Sequence, residues 1–205
     1  MQVQLRIKLV YYQQRGVNVK MNKKIWVIAI VIAFLAVISA SCAKTAGTEM
    51  TDDEVVDLYN KAKEAYGWFD LTTIPYDAEK YIEADGERYF EVSQPGITSK
   101  KALADYLNEF FADDITEGLM AMSSDRYVEH EGKLYVLPAD RGADISKGEE
   151  SYEVERVSER QIKLAVAVEV YGDPMQRNVT GYERHDFFLE FSDGRWRFKN
   201  FELVR

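Results

Sequence analysis

The sequence predicts an α+β fold: helices and hairpins in the N-terminal half, then a curved antiparallel sheet. Three observations carry this. Apolar residues recur at helical spacing after Thr51 and again after Ser99, two acid-glycine turns separate short alternating runs, and residues 162 to 170 alternate strictly. Such a division, helical signals first and strand signals after, is the mark of α+β rather than of interleaved βαβ units.

Thr51-Asp52-Asp53-Glu54 has capping-box spacing, and Val55, Leu58, Ala62, Ala65 and Phe69 then share one face, so a helix is expected to start at Thr51 and end near Gly67 to Asp70. A second helix is expected after Thr98 or Ser99, with Leu103, Tyr106, Leu107 and Phe110 inward. Lys100 and Lys101 in its first turn oppose the helix dipole, which hints at a surface role unless they are simply solvated. Asp113-Asp114 is expected to cap a third, short helix that buries Ile115, Leu119 and Met122.

Each helical stretch leads into a hairpin, and the two are alike. Tyr81 to Phe90 aligns with Tyr127 to Val136, with Asp85-Gly86 and Glu131-Gly132 at the turns. The N-terminal half therefore reads either as a helix-hairpin duplication or as two uses of one local solution. Beyond Pro138 to Glu150, the longest irregular connection, everything is strand. Ser151 to Val157 comes first, Ile162, Leu164, Val166, Val168 and Val170 then supply one buried face, Tyr182 to Phe191 follows, and Ser192-Asp193-Gly194 turns into Arg195 to Val204. A sheet of this kind wrapped on helices is a cystatin-like or nuclear-transport-factor-like roll.

The first fifty residues are of another kind. Lys23 and Lys24 precede an uncharged apolar run, Ile25 to Ala40, and Cys42, the one cysteine in the chain, follows it. This is the pattern of a lipoprotein signal spanning residues 21 to 42, with Cys42 as the lipidated residue and residues 43 to 50 as a tether. As a helix the run would extend roughly 24 Å at about 1.5 Å per residue, short of the ~30 Å hydrocarbon core. Ser39 stands where a large aliphatic residue usually precedes such a cysteine, so ordinary cleavage and secretion, or an uncleaved anchor, stay open. Met21 is the expected true start, and residues 1 to 20 are then expected to be a non-native extension. The expected location is the extracytoplasmic face of the cell membrane, by lipid anchor, with residues 51 to 205 as a single domain.

Charge narrows the partner. Six of the 26 bases and none of the 35 acids lie in residues 1 to 42, which leaves the remainder at net −15. An acidic domain of this kind repels phosphate backbones and anionic lipid, so nucleic acid is not an expected partner, and a basic protein is. Acidity also serves solubility alone.

Catalytic chemistry has little to build on. His130 and His185 lack a partner at metal-ligand spacing, there is no glycine-rich phosphate loop or nucleophile elbow, and Asp140 and Asp144 offer too few oxygens for a calcium loop. No metal or cofactor is expected. Tyr182 and Asp186, four apart on one strand face, could form a proton-transfer pair inside a roll, but among 13 tyrosines they read more simply as a solvated face.

Gly96-Ile97-Thr98-Ser99-Lys100, the segment Tyr127 to Val136, Ala139-Asp140-Arg141-Gly142 and Gly194-Arg195-Trp196-Arg197-Phe198 together resemble the IseA family of exported peptidoglycan D,L-endopeptidase inhibitors. The resemblance covers most of residues 51 to 205. It implies a non-catalytic inhibitor of cell-wall autolysins, papain-like cysteine peptidases of the NlpC type, acting by occlusion. The Gln-x-Val-x-Gly wedge of classical cystatins is absent, so their mode of inhibition does not carry over. A non-catalytic ligand-binding or accessory envelope lipoprotein is the alternative, and an isomerase-like enzyme is the third class. The expected contact surface is the loop from Pro138 to Glu150, which gathers Asp140, Asp144, Glu149 and Glu150 around Arg141. A purely structural pairing of Arg141 with Asp140 or Asp144 is the competing reading.

Overall fold

The computed structural model describes residues 49–204 apart from 143, 174, 176 and 177. The expectations for the extension, the apolar run and Cys42, and for most of the tether, lie outside the described residues. Among the described residues no helix is long and apolar enough to cross a membrane.

The elements follow the order α1 (Asp52–Asp70), β1 (Tyr76–Ala84), β2 (Glu87–Val92), α2 (Lys100–Leu107), α3 (Asp113–Met122), β3 (Tyr127–His130), β4 (Lys133–Val136), β5 (Lys147–Ser158), β6 (Gln161–Tyr171), β7 (Val179–Ser192) and β8 (Arg195–Phe198). The α+β class and the division into halves are as the sequence predicts. Two four-stranded antiparallel sheets are present, one ordered β1-β2-β4-β3 and one a meander, β5-β6-β7-β8. The hairpins thus build a sheet of their own.

Helix α1 begins as its capping box dictates. Thr51 Oγ1 accepts from the Glu54 amide at 3.2 Å, and Glu54 accepts from the Thr51 amide at 2.8 Å. That reciprocal bond holds the Glu54 carboxyl below its ordinary range. Its inward face is Val55, Tyr59, Ala62, Ala65, Trp68 and Phe69, with Leu58 only half-buried. Tyr59 takes the central place, its ring 5.3 Å from Phe187 and 5.8 Å from Phe201, and so seats α1 on the meander.

Ser99 caps α2 by accepting from the Ala102 amide at 3.0 Å. The two lysines of its first turn are locally compensated. Glu129 on β3 accepts from the Lys100 amide at 2.6 Å, Lys100 Nζ donates to the Ser124 carbonyl, and Lys101 pairs with Asp105. Helix α3 differs from expectation twice. Its cap is Ala112, tied by its amide to the Phe198 carbonyl, while Asp113 pairs with Arg197 at 2.8 Å. Thr116 and Leu119 are buried and Met122 is exposed, because residues 116, 119 and 120 face the core and position 122 turns past it.

The two hairpins share one register. Tyr81 pairs with Phe90 as Tyr127 pairs with Val136, and Phe90 and Val136, equivalent residues of the two copies, pair with each other where β2 meets β4. This register has the symmetry of a two-fold axis through that pair, as a duplicated hairpin would produce. Both turns place their two central residues at positive φ, Asp85 and Gly86 in one and Glu131 and Gly132 in the other.

One core joins these parts. Ile162, Leu164, Val166 and Val168 of β6 and Phe187 and Leu189 of β7 form the inner face of the meander, and Phe69 meets Tyr127 across to the hairpin sheet. Residues Phe110 to Ala112 bond to Phe198, which covers the outer edge of β8.

Candidate functional site

The predicted contact loop is shorter than expected. The irregular segment ends at Ser146, since β5 starts at Lys147, so Glu149 and Glu150 belong to a strand. What remains is firmly held at its base. Thr73 Oγ1 donates to the Ala139 carbonyl at 2.8 Å and accepts from the Ala139 amide at 2.9 Å, and the Arg141 amide donates to Leu71 at 3.0 Å. The competing reading, Arg141 paired with Asp140 or Asp144, is not what the ion pair among the described residues shows. The Arg141 guanidinium reaches Asp70 at the end of α1, 3.3 Å away.

The two aspartates shape the backbone instead. Asp140 accepts from the Gly142 amide at 2.7 Å, and Asp144 accepts from both the amide and the hydroxyl of Ser146, at 2.9 and 2.7 Å. Short side-chain acceptors of this type close turns by replacing a backbone carbonyl. Between them and the strand stands Ile145, exposed at 62% of its surface. An exposed apolar side chain of that size beside a carboxylate is suited to contact with another protein.

At the strand end the loop joins the meander. The Tyr171 amide donates to Ser146 at 2.8 Å, and Lys147 forms an ion pair with Glu183. That hydrogen bond lowers the Glu183 carboxyl, against a smaller opposing effect of burial. The ends of two side chains close over Gly148: a Cβ there would lie 2.6 Å from the Tyr171 hydroxyl and 2.7 Å from the Glu169 carboxylate, so both would have to shift. Glu149 is exposed, whereas Glu150 turns inward to accept from Lys63 of α1 at 2.8 Å and from the Tyr152 hydroxyl at 2.9 Å. Burial, and then this carboxylate, push the Tyr152 phenol up to about 12. The five predicted residues therefore divide: Asp140 and Asp144 order the loop, Arg141 ties it to α1, Glu149 is a surface acid and Glu150 is an internal strut.

The other chemical candidates are dispersed. His130 lies on β3 near Tyr135, and His185 lies on β7 with Nδ1 2.8 Å from Glu202. Tyr182 and Asp186 face outward on β7. Asp186 pairs with Lys163 at 2.7 Å and Arg184 at 3.4 Å, and these partners lower its carboxyl, opposite to what a buried proton acceptor would need.

A feature the sequence reading missed lies between α1 and β5. Asp52, Asp53, Val56 and Asp57 of the helix and Tyr152 and Val154 of the strand line an open groove of about 400 Å³. The acids of Thr51 to Glu54 were legible as a helix start, but nothing in the sequence placed them opposite β5.

A family model described as IseA DL-endopeptidase inhibitor matches residues 46–202. The chain belongs to this family. Among curated proteins none matches. For an IseA-family inhibitor, a rigidly based loop carrying an outward Ile145 and a groove of carboxylates are the two structural features that answer best to binding a partner.

Proposed function

We propose that this IseA-family chain is an exported, lipid-anchored, non-catalytic inhibitor of a cell-wall D,L-endopeptidase of the NlpC, papain-like type, acting by occlusion of the peptidase. The observation that carries the reading is the loop after β4. Its base is bonded to the α1–β1 connection at Ala139 and to the end of α1 at Arg141, which lowers the cost of ordering the loop when a partner arrives. The net charge of −15 beyond Cys42 supports a basic partner surface. The apolar run before Cys42 supports the anchor: two acyl chains bind stably where one is marginal.

The full chain in detergent should slow muropeptide cleavage by a purified NlpC-type endopeptidase. Inhibition should weaken as salt shortens the ~8 Å Debye length. Asp140→Ala with Asp144→Ala should lower affinity while leaving Tm nearly unchanged, because both residues are exposed and these carboxylate hydrogen bonds lie within the loop itself. Undiminished cleavage at excess inhibitor across a panel of such enzymes would remove the inhibitory reading. Cys42→Ala should release the protein from the detergent phase, and unchanged partitioning would remove the anchor.

A further inference from the structure

Four strands stand at the edges of the two sheets, and three are guarded. β8 is covered by Phe110 to Ala112, β3 is only four residues long, and β1 carries three bulged residues between Asp77 and Tyr81, clamped by the Asp77–Lys80 pair. Such devices keep an edge from pairing with another chain. β5 is different. It is 12 residues long, and between its two irregularities it keeps continuous register with β6 from Glu150 to Arg156. Among the described residues no backbone hydrogen bond reaches that stretch from the far side. Its alternate amides and carbonyls are left for a further strand.

The groove between α1 and β5 lies along this strand. An added strand would turn every second side chain toward it, and its lining has two parts. Val56, Val154 and Tyr152 form an apolar floor. Asp53 and Asp57 are exposed carboxylates with no ion-pair partner among the described residues, while Asp52 is held by Arg156. An aliphatic stem ending in a positive charge fits such a lining, the stem on the floor and the charge on the rim. On the opposite face the added strand would meet exposed Glu155 and Glu153, the latter also paired with Arg184 at 3.0 Å.

We propose that the free edge of β5 and its groove take up an extended, lysine- or arginine-bearing peptide segment as an added strand. A second copy of this chain is disfavoured as occupant, since two antiparallel β5 edges would set one acidic row against another. This inference rests on the inhibitory reading for its biological partner, which would supply the basic segment, but it has its own physical test. Backbone hydrogen bonds would provide the affinity, and the alternating charges the selectivity.

The probe is a fluorescent peptide alternating lysine and valine, titrated into the full chain in detergent and read by anisotropy. Saturable binding is expected. N-methylation of alternate backbone amides should weaken it by at least about tenfold through lost strand hydrogen bonds, and replacing lysine by glutamate should abolish it. Asp53→Asn with Asp57→Asn should weaken the original peptide roughly three- to tenfold. Equal binding of methylated and unmethylated peptides would overturn the added strand, as would full affinity of the double variant or self-association that the peptide cannot displace. The same double variant in the endopeptidase assay separates the two readings. Wild-type inhibition that the variant retains in full defeats this inference alone, whereas absence of wild-type inhibition defeats the inhibitory reading and leaves the peptide titration to decide the edge.

Discussion

The hairpins β1–β2 and β3–β4 use the same turn and the same register, yet equivalent residues in them live in different surroundings. Tyr127 is 2% exposed and packs 5.7 Å from Phe69 of α1, while its counterpart Tyr81 is 47% exposed, between Phe90 and the Arg88 guanidinium. Local code makes a hairpin, and helix docking decides which of the two equivalent tyrosines joins the core. The first copy carries the three-residue bulge of β1 just before Tyr81; the second has Phe69 of α1 packed against Tyr127.

The sharpest way to break this comparison is to truncate the equivalent tyrosines. Tyr127→Ala removes a buried ring and should cost about 3 to 5 kcal/mol, measured by urea unfolding. Tyr81→Ala should cost less than about 1 kcal/mol, because its ring is half in water. Similar losses would mean that the two copies are equally structural.

Alkaline pH gives a second contrast. Burial pushes the Tyr127 phenol up to about 12, and its hydroxyl has no hydrogen-bond partner among the described residues. An acid whose folded pKa exceeds its unfolded value of ~10 contributes stability that is complete below pH ~10 and is lost as pH rises toward 12. Tyr127→Phe should remove roughly 3 kcal/mol of this alkaline loss, and should change stability by less than about 1 kcal/mol at pH 7, since no bond is broken. A wild-type-like alkaline unfolding curve for the variant would move the buried charge elsewhere, with Tyr59, whose phenol is also raised chiefly by burial, the first alternative.

The smallest expected effect tests what the copies share. Gly86→Ala and Gly132→Ala put a Cβ into open space but at φ of 86° and 75°, so each should cost about 1 to 2 kcal/mol from backbone strain alone. The two losses should agree. A clear difference would show that the turns themselves, and not only the packing, have diverged.

Much of the fold was readable in advance because its signals are local. The Thr51 capping box, the Ser99 start, the acid-glycine turns and the alternation of Ile162 to Val170 each need only a few neighbouring residues. Most of the misreadings involve partners elsewhere in the chain; the exposed Met122 and the Lys101–Asp105 pair, four residues apart, are local. Asp113 looks like a cap but is drawn to Arg197, Lys100 and Lys101 look uncompensated until Glu129, Ser124 and Asp105 are placed beside them, and Glu150 looks like loop surface until Lys63 approaches from α1. Of the candidate site, Asp140 and Asp144 were legible as loop acids around Arg141. That they would close turns, and that Arg141 would reach Asp70, was not.

By itself the sequence determined the class of the fold, the positions of its turns, the acidic charge and, through its motifs, the resemblance to the IseA family. Only the tertiary structure decided which of the equivalent hairpin tyrosines is buried, which acids are struts, and that the acids of α1 stand beside the open edge of β5. Periodicity and turn chemistry act over one or two turns of chain, so a sequence displays them directly. A groove depends on which elements pack together, and that is set by the summed burial of the whole core.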